Sequence, residues 1–237
     1  YGALSSETLG DRNVAVGSGA LAAQNNTSNL DVYNTAVGYN AGNDITTGIQ
    51  NTILGGLAGD ALTTGSDNVA LGYAALSQED TGGRSVAIGR SALGSQNNDA
   101  SNYNVAVGYN SGVSVTTGIN NTLVGGLAGD ALTTGSYNVA IGYAALSAED
   151  ANGRNVAIGY HALVSQNAGA DAHNVAIGFK AGENVSTGDT NVLIGGLAGD
   201  ALTTGSHNVA VGYEALTTED AHGTNTAIGF RALKVQN

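Results

Sequence analysis

The stretch Asn68-Val69-Ala70-Leu71-Gly72, which opens the segment NVALGYAALSQEDTGGR (68–84), decides the fold. Val69 and Leu71 alternate with Ala70, the two-residue period of a β-strand. β-Branched residues dominate the same places elsewhere, as in Val156 and Ile158 or Val175 and Ile177. The Gly at the end of the motif suits a bend where the backbone must be unhindered. The pattern recurs thirteen times, starting at Asn13, Asn34, Asn51, Asn68, Ser85, Asn104, Asn121, Asn138, Asn155, Asn174, Asn191, Asn208 and Asn225. Nine of the twelve steps between these starts are of seventeen, two are of nineteen and the first is of twenty-one. A period of this length is one turn of a solenoid and overrides the one or two globular domains that length alone suggests.

Each coil is read as two short strands and a turn. The second strand carries Tyr73, Ala75 and Leu76, and the polar, Gly-containing remainder (SQEDTGGR, or VTTGIN) is the turn. Coils stacked at the inter-strand spacing of roughly 4.8 Å give a rod on the order of 60 Å long. Residues 1–237 are read as one continuous all-β, parallel β-roll domain of 13–14 coils, each 17–21 residues long. A longer period sits above the coil. Asn34, Asn104 and Asn174 recur at a constant interval of seventy, as do Asp60, Asp130 and Asp200. Four coils, a to d, therefore form a super-repeat, with a at 68–84, b at 85–103, c at 104–120 and d at 121–137. The chain begins and ends within this pattern, which reads as a fragment of a longer fibre.

Val69 and Leu71 point to one side of the first strand and Asn68, Ala70 and Gly72 to the other. The latter face is small and uncharged, which permits close approach of another backbone, and a narrow coil encloses little core of its own. One face is expected to fill the chain's own core and the other to pack on a partner chain. The Asn residues at the first position (Asn68, Asn104, Asn121, Asn138, Asn155, Asn174, Asn191 and Asn208) are expected to stack as a structural ladder, each amide bonding its neighbours above and below. Coil d departs from the pattern: Ile53, Leu123 or Leu193 replaces Ala, while Gly56, Gly126 or Gly196 replaces Tyr. This periodic exchange of volume suggests an interchain plug.

Composition excludes several functions. Gly is 37 of 237 residues without a three-residue period, so the chain is not collagen-like. The phase of the aliphatic residues argues against disorder. There is no Cys, hence no disulfide framework or thiolate metal site. A net charge of −12 disfavours nucleic acid. No apolar run is long enough to insert in a membrane. The segment GGLAGD (55–60, 125–130, 195–200) lacks the ending of a phosphate loop. His161, His173, His207 and His222 occupy different coil positions and make no metal pair. No catalytic constellation recurs at a plausible spacing, so the chain is read as a non-enzyme without cofactor or metal. Asp60, Asp130 and Asp200 fit a turn or cap role, with ion sharing about a trimer axis as the alternative. Thr pairs such as Thr46-Thr47 and Thr63-Thr64 are confined to coils c and d, so they form no continuous ice-binding array and are read as turn residues bonding their own backbone.

NTAVGYNAG (34–42) and NVAIGYHAL (155–163) resemble the head repeats of trimeric autotransporter adhesins and, more closely, the repeats of bacteriophage tail-fibre proteins. The resemblance covers nearly the whole chain. It implies a left-handed β-roll, three of which pack about an axis as a homotrimer. It also implies an extracellular setting, on a virion tail fibre or a bacterial surface. The function expected is a fibre segment that displays or supports a surface for a host glycan or protein receptor. The alternatives are a monomeric solenoid that binds ice or polysaccharide, and a structural filament subunit. Receptor contacts are sought in the long loops of coil b, at 22–33, 94–103 and 164–173. The candidates are Asn25, Asn26, Tyr33, Asn97, Asn98, Asp99, Tyr103, Asn167, Asp171 and His173, whose side chains can bond sugar hydroxyls and stack on sugar rings.

Overall fold

The computed structural model describes residues 2–26, 31–218 and 220–234. The chain forms two compact units, 1–117 and 118–237. Each is a parallel β-solenoid, and no helix occurs among the described residues. The first unit holds six strands, from Val14–Val16 to Val105–Val107, and the second holds seven, from Thr122–Val124 to Thr226–Ile228. Every strand is three residues long, one per coil. The all-β class and the parallel solenoid thus match the sequence period.

Strand register is kept where coil length changes. Val69 pairs Val86 across an ordinary coil, and Val86 pairs Val105 across the longer coil b. The added residues therefore lie in the loop at 94–103. A one-residue slip would turn every side chain to the opposite face, so insertions survive only where no face is being specified.

The two strand faces take the reverse of the expected roles. Ala36, Ala70, Ala87, Ala140, Ala157 and Ala210 are fully buried at the strand centres, together with the ladder Asn residues. The backbone that this small face approaches is the opposite wall of its own coil. Across the lumen stand Leu76, Leu93, Leu146 and Leu163 at the ninth place of coils a and b. In coils c and d that place is Gly, and the twelfth place supplies Ile45, Leu62, Leu132 or Val185 instead. The larger Val, Leu and Ile side chains on the other strand face point outward.

This packing corrects the reading of coil d. Ile53, Leu123 and Leu193 are fully buried in their own lumen and are not interchain plugs. A β-carbon at Gly129 would meet Leu123 Cδ2 and Leu132 Cδ1, each at 2.8 Å. Leu123 therefore occupies space that a ninth-place Leu holds in coils a and b. Volume is conserved inside one chain, as close-packed cores require.

The second strand is not formed. After Gly72 the chain makes a run of turns, with positive φ at Ala74 (53°) and Leu76 (54°). Ala74 N–H donates to Gly56 O and Leu76 N–H to Ala92 O, each at 3.0 Å, while Ala75 N–H turns back to Gly72 O at 3.3 Å. Successive residues thus bond opposite neighbours without extended backbone. Left-handed residues also precede the ladder positions, as at Asp67 (φ 61°), Arg84 (62°) and Tyr137 (63°). Such conformations cost about 1–2 kcal/mol each outside glycine. They persist because stacked coils hold them from both sides: Arg84 N–H, for example, donates to Ser66 O at 3.1 Å.

The ladder uses the backbone more than the side-chain amides. Asn51 Oδ1 accepts Asn68 N–H at 3.0 Å, and Asn51 Nδ2 donates across its coil to Gly65 O at 2.9 Å. The same pair of bonds recurs at Asn138, Asn174 and Asn191. Asn121 Oδ1 accepts Asn138 N–H, and Asn208 Oδ1 accepts Asn225 N–H. Asn104 Nδ2 donates to Gln96 Oε1 at 2.8 Å. Amide-to-amide contacts occur from Asn51 to Asn34 and from Asn208 to Asn191. Asn155 Oδ1 accepts Asn174 N–H, while its Nδ2 is buried without a partner.

Candidate functional site

Two features stand out once the lumen is closed: the outward strand face and the long-loop edge beside it. The outward face presents the first and third residues of each strand, all Val, Thr, Ile or Leu. Some are half-exposed, including Val16 at 56% and Leu54 at 48%. One place past the Gly bend runs a row of exposed rings. In the first unit it holds Tyr39 (62% exposed), Tyr73 and Tyr109, with Arg90 between the last two, its guanidinium 6.0 Å and 5.8 Å from their ring centres. In the second unit Tyr143, Tyr160 and Phe179 stack in sequence, with centroids 5.7 Å and 5.5 Å apart. None of the 19 acidic residues occupies a strand-face or ring-row position.

The other margin of this face is the left-handed residue before each ladder position. Here Arg12 bonds Asp31 and Tyr33, and Arg154 bonds Asp171 and lies over the Tyr137 ring. Arg84 stands at the corresponding place of the middle super-repeat. Its Nη1 donates to Ser101 Oγ at 2.6 Å and Tyr103 Oη at 3.1 Å.

The loop candidates divide between solvent and coil. Tyr33, Asn97, Asp99, Tyr103, Asn167, Asp171 and His173 are exposed. Asn25 is also exposed and accepts from Thr8 Oγ1 at 2.9 Å. Asn26 is buried, and its backbone N–H and Nδ2 both donate to Glu7. Asn98 N–H donates to Glu79 and its Nδ2 to Thr117 O. His173 Nδ1 lies 3.1 Å from Asp171 O. The structure gathers Asp99 and Tyr103 around Arg84 and sets Asn26 and Asn98 to hold carboxylates.

Those carboxylates belong to a network that the sequence did not announce. Glu79 is fully buried and accepts Gln96 Nε2, Asn102 Nδ2 and Gly82 N–H at 2.9, 2.9 and 2.8 Å. Gln96 passes the connection to Asn104. Glu149 is equally buried, with Oε1 held by Asn152 and Oε2 without a partner. Burial pushes both carboxyls up, against the opposing pull of their hydrogen bonds. Glu7 is held by residues at the corresponding places, Gly10, Gln24 and Asn26, but is only partly enclosed. Burial raises its pKa, but hydrogen bonds from Gly10, Gln24, Leu9 and Asn26 outweigh this and hold it at about 2. The recurrence of Glu and Gln at the twelfth place of coils a and b was the available signal.

Because the folded-state pKa of Glu149 lies above its unfolded value, folding takes up a proton there. Its contribution to stability grows as pH falls through the folded pKa, and the penalty for ionising it is carried at pH above that value. Glu149→Gln is expected to raise the thermal midpoint at pH 7. The difference from wild type should vanish below about pH 4, where both states carry a protonated carboxyl. A variant less stable than wild type at pH 7 would contradict this.

Asp60, Asp130 and Asp200 each bury Oδ1 without a partner, and burial is the leading cause of their raised pKa values. No group of three or more His, Cys, Asp or Glu side chains is placed to hold a metal among the described residues. In the Thr pairs of coils c and d, the hydroxyls of Thr46, Thr63, Thr133 and Thr203 bond the next coil and not their own. Thr63 Oγ1 donates to Asp80 O at 3.0 Å, Thr133 to Asp150 O at 2.9 Å and Thr203 to Asp220 O at 2.8 Å. Comparison with models of known families, with curated proteins and with solved structures gave no match.

Proposed function

We propose that this chain is a segment of an extracellular structural fibre, in which three copies associate about an axis through the outward strand face and carry a receptor-binding surface. The observation that carries the reading is the contrast between that face and the rest of the chain. A net charge of −12 opposes contact between copies, yet every strand offers uncharged aliphatic or Thr side chains beside a row of rings. Long exposed apolar stripes with polar margins mark association surfaces. The occupant that repeats with the same period is another copy of the chain, since its own stripe meets this one coil by coil. The stripe has two margins, the ring row and the Arg/Tyr row. In a threefold arrangement the strand face, with its Val and Ile, is directed toward the axis, and the loops outside the Arg/Tyr margin stay open to solvent.

Sedimentation equilibrium tests this directly: a mass near three chains is expected. Ile141→Lys combined with Ile158→Lys places two charges on the outward face and should yield a folded monomer, with an unchanged circular dichroism spectrum. A monomeric wild-type chain would sink the proposal and favour a single-chain solenoid.

A further inference from the structure

The middle super-repeat differs from its neighbours at the residue that faces the Arg of the coil-b margin. Three residues before the ladder Asn of coil c, the chain has Asp31, Ser101 and Asp171 in turn. The two Asp residues close onto Arg12 and Arg154. Ser101 is shorter and neutral, and beside it lies a cleft of about 190 Å³ lined by Thr64, Ser66, Asp67, Thr81, Arg84 and Asp99, among others. The remaining charged contact to Arg84 is loose, with Asp67 Oδ2 3.7 Å from Nε. Asp99 accepts from Thr81 Oγ1 at 2.8 Å through one carboxylate oxygen. Tyr103, bonded to Arg84 Nη1, places an exposed ring at the margin.

We propose that this cleft is a binding site for one neutral sugar residue of a glycan. Its lining combines hydroxyls, two carboxylates and one guanidinium. Adjacent sugar hydroxyls donate to carboxylates and accept from guanidinium, so both signs are used at once. An anionic ligand would face Asp67 and Asp99, and a metal cation would face Arg84. The volume is below the roughly 300 Å³ at which pockets for drug-sized ligands begin, so it suits a single ring. Few contacts give a dissociation constant of about millimolar, and copies repeated along a fibre raise the overall strength by avidity. The proposal rests on the reading of the chain as a receptor-bearing fibre and names where that surface is.

The test is saturation-transfer NMR on the intact chain with the methyl glycosides of glucose, galactose and mannose. Ser101→Asp restores the residue that both other super-repeats carry, so the fold should tolerate it while the carboxylate closes onto Arg84. Transfer to at least one glycoside is expected in wild type, with at least a tenfold weaker affinity in Ser101→Asp and no competition from inorganic phosphate. Absence of transfer to all three, an unchanged Ser101→Asp, or displacement by phosphate would overturn the site. Sedimentation of the same samples separates the two readings. An assembled chain that binds no sugar removes the cleft alone, and a monomer that binds sugar removes the assembly alone.

Discussion

Gly142→Val is expected to leave the second unit unfolded or destabilised by about 3 kcal/mol or more. Gly142 holds φ at 132°, in a region that L-residues rarely adopt. An added β-carbon would stand 2.4 Å from Gly159 O and 2.6 Å from Gly159 C. These are backbone atoms of the next coil, so relief requires the stack itself to open. The same geometry recurs at Gly72, where the β-carbon would lie 2.6 Å from Gly89 O. Gly56 is the control. It lies outside the positive-φ set, and a β-carbon there meets nothing closer than the Tyr73 ring at 3.7 Å. Gly56→Ala should change stability by less than about 1 kcal/mol, with a gain from the stiffer unfolded chain. Thermal unfolding followed by circular dichroism checks both. A wild-type midpoint for Gly142→Val would show that the bend has freedom the stacking denies it.

Asn191→Ala should cost about 2–4 kcal/mol. Asn191 Oδ1 accepts both Asn208 N–H and Asn208 Nδ2, and its Nδ2 donates to Gly205 O at 2.9 Å. Asn191 and Asn208 are fully buried. Truncation leaves a buried donor on one coil and a buried acceptor on another, and each orphaned group costs about 1–3 kcal/mol. Asn191→Asp should not rescue it, because a carboxylate can accept from Asn208 but cannot donate to Gly205, and it adds a buried charge. In a solenoid each coil depends on its neighbours, so the defect should weaken the coils on both sides. Urea unfolding measures the loss. A change under about 0.5 kcal/mol, the scale of ordinary surface substitutions, would show that the ladder does not hold the coils together.

Much of this was legible because repetition averages out local ambiguity. One Asn-Val-Ala-Val-Gly would be a weak strand signal, but thirteen in phase specify coil period, strand position, bend and register. The loop insertions of coil b were legible for the same reason. The polar network around Glu79 was not, because an isolated Glu in a polar stretch reads as a solvated turn. Only coil closure brings Gln96, from the next coil, and Asn102 against it. The Arg84 cleft was equally hidden, since it depends on Ser101 replacing an Asp whose partner is known only once coils are stacked.

Sequence by itself determined the all-β solenoid, the period of its coil and the four-coil super-repeat, because these rest on spacings that local stereochemistry converts directly into structure. The tertiary structure decided which strand face is inside, how the chain continues after the bend and where coil d puts its extra volume. The reason is the width of the lumen. A coil of this length closes over a strand whose buried side is Asn and Ala, and takes Ile or Leu at the strand centre only in coil d, where Gly stands at the ninth place opposite. That sends Val and Ile outward, forces alternate left-handed residues after Gly72, and draws Leu123 into the space left by Gly129.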